Sequence, residues 1–186
     1  MIYAQLHIVL PPWVNQAIDG NTVCPDDESK VQLAIELAHF NVDRRTGGPF
    51  GAAVFNAEGR LISAGVNRVV PQNCSIAHAE IMAYVLAQQR LQRSRLNEDG
   101  QRYVLATSAQ PCCQCYGATF WAGVDELLIG ATAEDVHELT EFDEGPLPHD
   151  WVGELKKRGI TVKRDIAREE ARAVLQAYRS SGGAAY

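Results

Sequence analysis

The sequence predicts an α/β fold, a central mixed sheet with helices on both faces. Three observations predict it: apolar residues at helical spacing open the body of the chain, a hairpin pattern follows, and the remainder alternates helix-like and strand-like segments. The length of 186 residues suits one domain that buries a core without disulfide staples. Residues 1–186 are therefore read as a single domain, with an N-terminal extension over 1–28 and a C-terminal helical segment over 165–186.

The elements follow in order. Pro11, Pro12, Gly20 and Pro25 break up the first 28 residues. Asp26 and Asp27 are placed to cap a helix through Val31, Ala34, Ile35, Ala38 and Val42, which Thr46-Gly47-Gly48-Pro49 ends. Phe50 to Asn56 reads as a strand, Ala57-Glu58-Gly59 as a turn, and Arg60 to Val70 as the second strand of a hairpin. A helix from about Ala77 to Leu91 carries Ile81, Val85 and Leu86 on its apolar stripe. Tyr103 to Thr107 is a third strand, and Pro111 opens a helix to about Ala122, proline being favoured at a first helical position. Asp125 to Gly130 is a fourth strand, Ile160 to Lys163 a short fifth, and Arg168 to Tyr178 a terminal helix.

Composition removes several classes of function. Lys plus Arg number 17 against 23 Asp plus Glu, a net charge of −6, whereas a nucleic-acid backbone calls for clustered cations. No apolar run approaches the ~18 residues of a membrane span. Met1 to Trp13 lacks a basic leading region and breaks at Pro11-Pro12, so the expectation is a cytoplasmic protein. Three of the five cysteines crowd into Cys112, Cys113 and Cys115, which points to metal or redox chemistry rather than a disulfide frame.

The chemistry concentrates in His78-Ala79-Glu80 and Pro111-Cys112-Cys113-Gln114-Cys115. Each stands where a helix begins after a strand or its loop, where sites of open sheets gather, so segments 34 positions apart come within reach. Cys112 and Cys115, three apart, face one side of a helix; Cys113 is turned away by about 100°. A helix N-terminus favours ionised thiols, and adding His78 makes a two-sulfur, one-nitrogen set for Zn²⁺. Three protein ligands leave a position for water, the catalytic pattern, and Glu80 is placed to act as base without being a ligand. Taken singly, these residues also read as buried thiols, a capping histidine and a first-turn carboxylate. Their joint occurrence in this order favours the metal.

The H-x-E and P-C-x-x-C pair resembles the signature of the cytidine deaminase-like zinc deaminases. The resemblance spans about Val31 to Gly130 and implies a three-layer α/β/α sandwich on a five-stranded mixed sheet. It implies one Zn²⁺ per chain on His78, Cys112 and Cys115, with Glu80 as general acid/base. Gly47-Gly48-Pro49-Phe50, Asn67-Arg68-Val69-Val70 and Phe142-Asp143-Glu144-Gly145-Pro146 are similar to the bacterial guanine deaminase branch. That likeness implies that Asn67 grips the base, Glu144 shuttles a second proton and Phe50 walls the ring. Ala79, Trp121, Phe142 and Tyr186 complete the candidate substrate-contacting set, Tyr186 as the C-terminal aromatic that closes the pocket in that branch. Phe50, Trp121 and Phe142 read equally as core aromatics, Trp121 most of all. Asn67 reads equally as a polar residue on a strand's solvent side, and Glu141 to Glu144 as a solvated acidic run.

The resemblance thus implies a small-molecule nucleobase substrate, guanine giving xanthine and ammonia, with ammeline as a second. No nucleic acid or membrane partner is expected, and the expected assembly is a homodimer, with the C-terminal segment exchanged in some relatives. The rival readings are a transfer-RNA adenosine or cytosine/cytidine-type deaminase and a non-enzymatic zinc-binding domain. His39, His137 and His149 have no recognisable catalytic partners, and Cys24 and Cys74 read as reduced structural thiols.

Overall fold

The computed structural model describes residues 7–185. A one-turn helix α1 (Val14–Ala17) precedes α2 (Asp27–Asp43). Asp26 is the cap of α2: its carboxylate accepts from Ser29 N at 2.7 Å while Ser29 Oγ accepts from Asp26 N at 3.3 Å. The hairpin β1 (Gly51–Asn56) and β2 (Leu61–Val66) comes next, then a single turn α3 (Val69–Gln72) and α4 (Ala79–Leu91). After a 3₁₀ turn at Leu96–Asp99 run β3 (Tyr103–Ala109), α5 (Cys113–Ala122), β4 (Glu126–Ala131), α6 (Ala133–Leu139), α7 (Trp151–Lys157), β5 (Thr161–Lys163) and α8 (Arg168–Ser180).

The five strands form one sheet in the order β2-β1-β3-β4-β5. β1 is antiparallel to both neighbours, and β3, β4 and β5 are parallel. Side chains alternate between two cores along each central strand, as a pleat requires. Ala53, Phe55, Val104, Ala106 and Leu128 face α2 and α8, whereas Ala52, Val54, Leu105, Leu127 and Ile129 face the side of α4 and α5. This is the three-layer mixed-sheet architecture that the sequence predicts.

Three expectations need correction. The second strand stops at Val66, short of Val70. Asn67 N still donates to Phe50 O at 3.0 Å, but its Oδ1 accepts from Val69 N at 3.3 Å and Pro71 has no N–H to offer a strand, so the chain turns into α3. Pro111 is not the first helical residue; Cys112 is the N-cap of α5 and Cys113 the first residue inside it. The helices α6 and α7 were not expected. Thr132 and Asp135 cap α6 reciprocally, and Asp150 caps α7 by accepting from Gly153 N at 2.9 Å.

Close packing fixes the start of α4. A Cβ on Gly65 of β2 would lie 2.1 Å from Ala79 O and 2.6 Å from Ala83 N, so only glycine lets the helix sit this near the sheet. The residues flanking Ala79, His78 and Glu80, inherit that placement.

Candidate active site

Because β1 runs opposite to β2 and β3, the end of β2, the start of β1 and the end of β3 share one edge of the molecule. Asn67 follows β2, Phe50 precedes β1 and Gln110 follows β3. The starts of α4 and α5 and the loop after α6 reach the same edge. Together they enclose a cavity of about 230 Å³, below the roughly 300 Å³ at which pockets for drug-sized ligands begin. A single base suits it better than a nucleoside on a polymer.

His78 caps α4 with extended backbone (φ −72°, ψ 157°), and Cys112 caps α5 in the same way (φ −65°, ψ 175°). His78 Nδ1 and Cys112 Sγ are 3.5 Å apart, and one donor atom from each of His78, Cys112 and Cys115 lies within 4.8 Å of the others. Tetrahedral zinc with Zn–S of about 2.3 Å and Zn–N of about 2.0–2.1 Å places neighbouring donors roughly 3.6–3.8 Å apart. The donor set fits zinc in type and spacing. Cys113 does not join it: its Sγ would meet a Cβ placed on Gly145, in the loop after α6, at 2.6 Å.

The electrostatics also suit a cation. The Cys112 thiol is pulled down to about 4, first by its hydrogen bond with Cys115 and then, against burial, by His78. Cys115 is pushed up by the same hydrogen bond and by burial. Burial works to lower His78, but its bond to Cys112 and the charges of Glu80 and Cys112 raise it overall.

Two carboxyl groups face this centre. Glu80, 6% exposed in the first turn of α4, is raised to about 7 by burial and by the charge on Cys112. Glu144, 9% exposed, is raised to about 8 by burial, then by Cys112 and Glu80. The end of the acidic run is thus a buried acid rather than a solvated charge. Its loop is pinned where Cys113 N donates to Glu144 O at 2.9 Å, and Asp143 accepts from Gly145 N at 2.8 Å.

Asn67 is fully buried rather than on a solvent side. Its Oδ1 accepts from Gly48 N at 3.4 Å and Val69 N at 3.3 Å, which orients the amide. Asn41, also fully buried, braces it from α2: its Nδ2 donates to Gly48 O at 2.8 Å and to Asn67 O at 2.9 Å, while its Oδ1 accepts from Thr46 Oγ1 at 2.7 Å. A Cβ on Gly47 would fall 1.9 Å from Asn67 O, so the glycine before Gly48 is a packing requirement of this ring of bonds. Phe50 and Phe142 wall the cavity with centroids 5.1 Å apart, and Tyr178 of α8 stacks behind Phe142 at 5.9 Å.

The structure therefore brings His78, Glu80, Asn67, Cys112, Glu144, Phe50 and Phe142 to one cavity, with Cys115 beside it. Two expected contacts do not line it. The Ala79 side chain is buried against the sheet under α4. Trp121 is 72% exposed on the outer face of α5, in a surface depression with Ile81 and Val85, so it is neither core nor pocket wall. Tyr186 lies outside the described residues. Sequence reasoning missed Val69, Ser75 and Gln110 on the cavity wall and Asn41 behind it. A signal existed for two of them. Asn41 is a polar residue on the apolar stripe of α2, and Gln110 directly precedes Pro111-Cys112.

Residues 25–131 match the family model of the cytidine and deoxycytidylate deaminase zinc-binding region. The chain is similar to the guanine deaminase from Nitrosomonas europaea, with a TM-score of 0.91 and 44% identity over 97% of this chain and 99% of that one. A structure solved in complex with 2,6-diaminopurine matches at 45% identity and a TM-score of 0.91, over 97% of this chain and 95% of the other. The guanine deaminase of Bacillus subtilis is 34% identical over 63% of this chain and 71% of its own length.

Proposed function

The chain belongs to the cytidine and deoxycytidylate deaminase zinc-binding family, and from that premise we propose that it hydrolyses free guanine to xanthine and ammonia. The observation that carries this reading is the cavity itself, a base-sized space in which one oriented amide and two protonatable carboxyls face a His/Cys/Cys set. The similarity to proteins named for guanine, and to one holding 2,6-diaminopurine, supports the purine.

His78, Cys112 and Cys115 would hold a zinc ion, which would supply Lewis acidity to a water at this end of the cavity. Glu80, titrating near neutrality, takes the proton that water gives up and passes it to the ring nitrogen beside the carbon under attack. Glu144, its acid form favoured by burial, donates a proton to the departing amine. As the amine leaves, Glu80 takes the remaining hydroxyl proton and the carbonyl forms, so guanine and water become xanthine and ammonia; Glu80 then loses that proton to solvent and Glu144 regains one from it. Asn67 pairs with the edge of the base through an amide already fixed from behind. Phe50 and Phe142 cover the ring and exclude water, which strengthens each polar contact inside.

The reading carries further terms: one zinc per chain, ammeline as a second substrate, a cytoplasmic location and a homodimer whose C-terminal segment, with Tyr186, closes a pocket. Ammonia release from guanine, ammeline, cytosine, cytidine, adenosine and transfer RNA tests the substrate directly. Guanine should lead the panel. Release from transfer RNA but not from guanine would replace this reading with the polynucleotide one.

A further inference from the structure

Gln110 is a polar residue of this cavity to which none of these steps gives a task. Its backbone is fixed, with Gln110 N donating to Ala131 O at 2.8 Å, so the residue stands firmly at the end of β3. Its side chain is only 8% exposed and lines the cavity beside Cys112, yet its amide hydrogen-bonds to none of the described residues. Its two N–H donors and carbonyl acceptor are therefore open to the cavity, where a ligand can meet them. Neighbouring polar groups behave otherwise: Asn41 uses both ends of its amide, and Asn67 anchors its carbonyl on two backbone donors.

The strand register says where this amide stands relative to Asn67. Gly51 pairs with Val66 on one side, and Ala52 pairs with Thr107 on the other. Continuing the first ladder by one step and the second by two puts Phe50 beside Asn67 and beside Ala109, the residue before Gln110. Strands lie about 4.8 Å apart, so the backbones of Asn67 and Gln110 stand roughly 10 Å from each other with Phe50 between them. A flat base lying on Phe50 meets one amide on each side.

We propose that Gln110 is a specificity-determining residue that hydrogen-bonds the edge of the base opposite the edge held by Asn67. Two neutral amides on opposite edges suit a base that presents donors and acceptors on both, as guanine does, and penalise one that lacks polar atoms on either. The claim rests on the reading of the cavity as a nucleobase site.

The test is Gln110→Met, which keeps length and flexibility and removes every polar atom. Loss of one neutral hydrogen bond to a buried ligand raises KM for guanine about tenfold and leaves kcat within about threefold. The inhibition constant of the product xanthine should rise in parallel, and melting temperature and zinc content should stay at parental values or above. An unchanged KM overturns the proposal whatever happens to stability, and a lowered melting temperature with unchanged KM makes Gln110 a structural residue. If the parent releases ammonia from another base and not from guanine, the guanine reading falls, and the same KM comparison on that base decides the role of Gln110.

Discussion

Replacing Glu144 with glutamine separates shape from proton transfer at the point where the mechanism depends on a second acid. The side chain is 9% exposed, and burial together with the charges on Cys112 and Glu80 raises it to about 8. Burial and these charges favour the protonated carboxyl near neutral pH. Glutamine fills the same space and still donates a hydrogen bond, but it has no proton to release. General acid catalysis is worth about 10²–10⁴-fold, so kcat for guanine should fall by at least ~10²-fold while KM changes little. Ammonia release measured from pH 6 to 9 supplies a second signature. The parent should lose activity as pH rises through about 8, and the variant's residual rate should lack that limb. Stability should carry a pH signature of its own. The folded value lies above the unfolded one of 4.5, so folding takes up a proton between them, and this group makes the parent less stable as pH rises from about 4.5 toward 8. The amide has no such slope. A variant within a few-fold of the parental kcat, with the alkaline limb intact, refutes the assignment of Glu144 as the acid.

Glu80→Gln should retain zinc and lose at least ~10²-fold in kcat, read from metal analysis and steady-state rates on one preparation. Cys115→Ser should lose the metal, whereas Cys113→Ser should keep it because that thiol faces Gly145; metal content after dialysis decides. Asp135, 1% exposed, accepts from Arg168 Nε at 2.7 Å and Nη2 at 2.8 Å and also from Arg172. Asp135→Asn should cost about 2–3 kcal/mol in urea unfolding at pH 7, since Arg168 and Arg172 regain some solvation once released. The hydrogen bonds from Arg168 foremost hold Asp135 well below the ordinary carboxylate range. Its stabilisation is therefore full above the unfolded value of 3.8 and fades as pH falls below it, so parent and variant should converge in acid.

The His/Cys/Cys cluster was legible because it depends on residue type and local spacing. Cys112 and Cys115 fall on one face by helical periodicity, and His78 joins them because β2 and β3 end at the same edge of the sheet. Asn67 and Glu144 were named through a resemblance. Their burial was not legible, since it comes from long-range contacts: the bonds of Asn41 across 26 positions and the backbone link from Cys113 to Glu144. Trp121 misled because a large aromatic on a helix reads as core, and nothing local shows that the outer face of α5 has no element packed on it among the described residues. The helix α6 was overlooked although Thr132 and Asp135 stand at capping-box spacing, because only a short polar stretch follows them. Gln110 stands just outside the cysteine motif, and its burial beside Cys112 appears only when β3, α4 and the loop after α6 close around it.

The most direct measurement of the central claim is product stoichiometry on zinc-loaded protein given guanine alone. The site as built predicts xanthine and ammonia in equal amounts, with formation of both falling at least ~10²-fold in Glu80→Gln although that variant still holds its zinc. Zinc-loaded parent protein that leaves guanine unchanged, or a Glu80→Gln variant that converts it at the parental rate, contradicts the account.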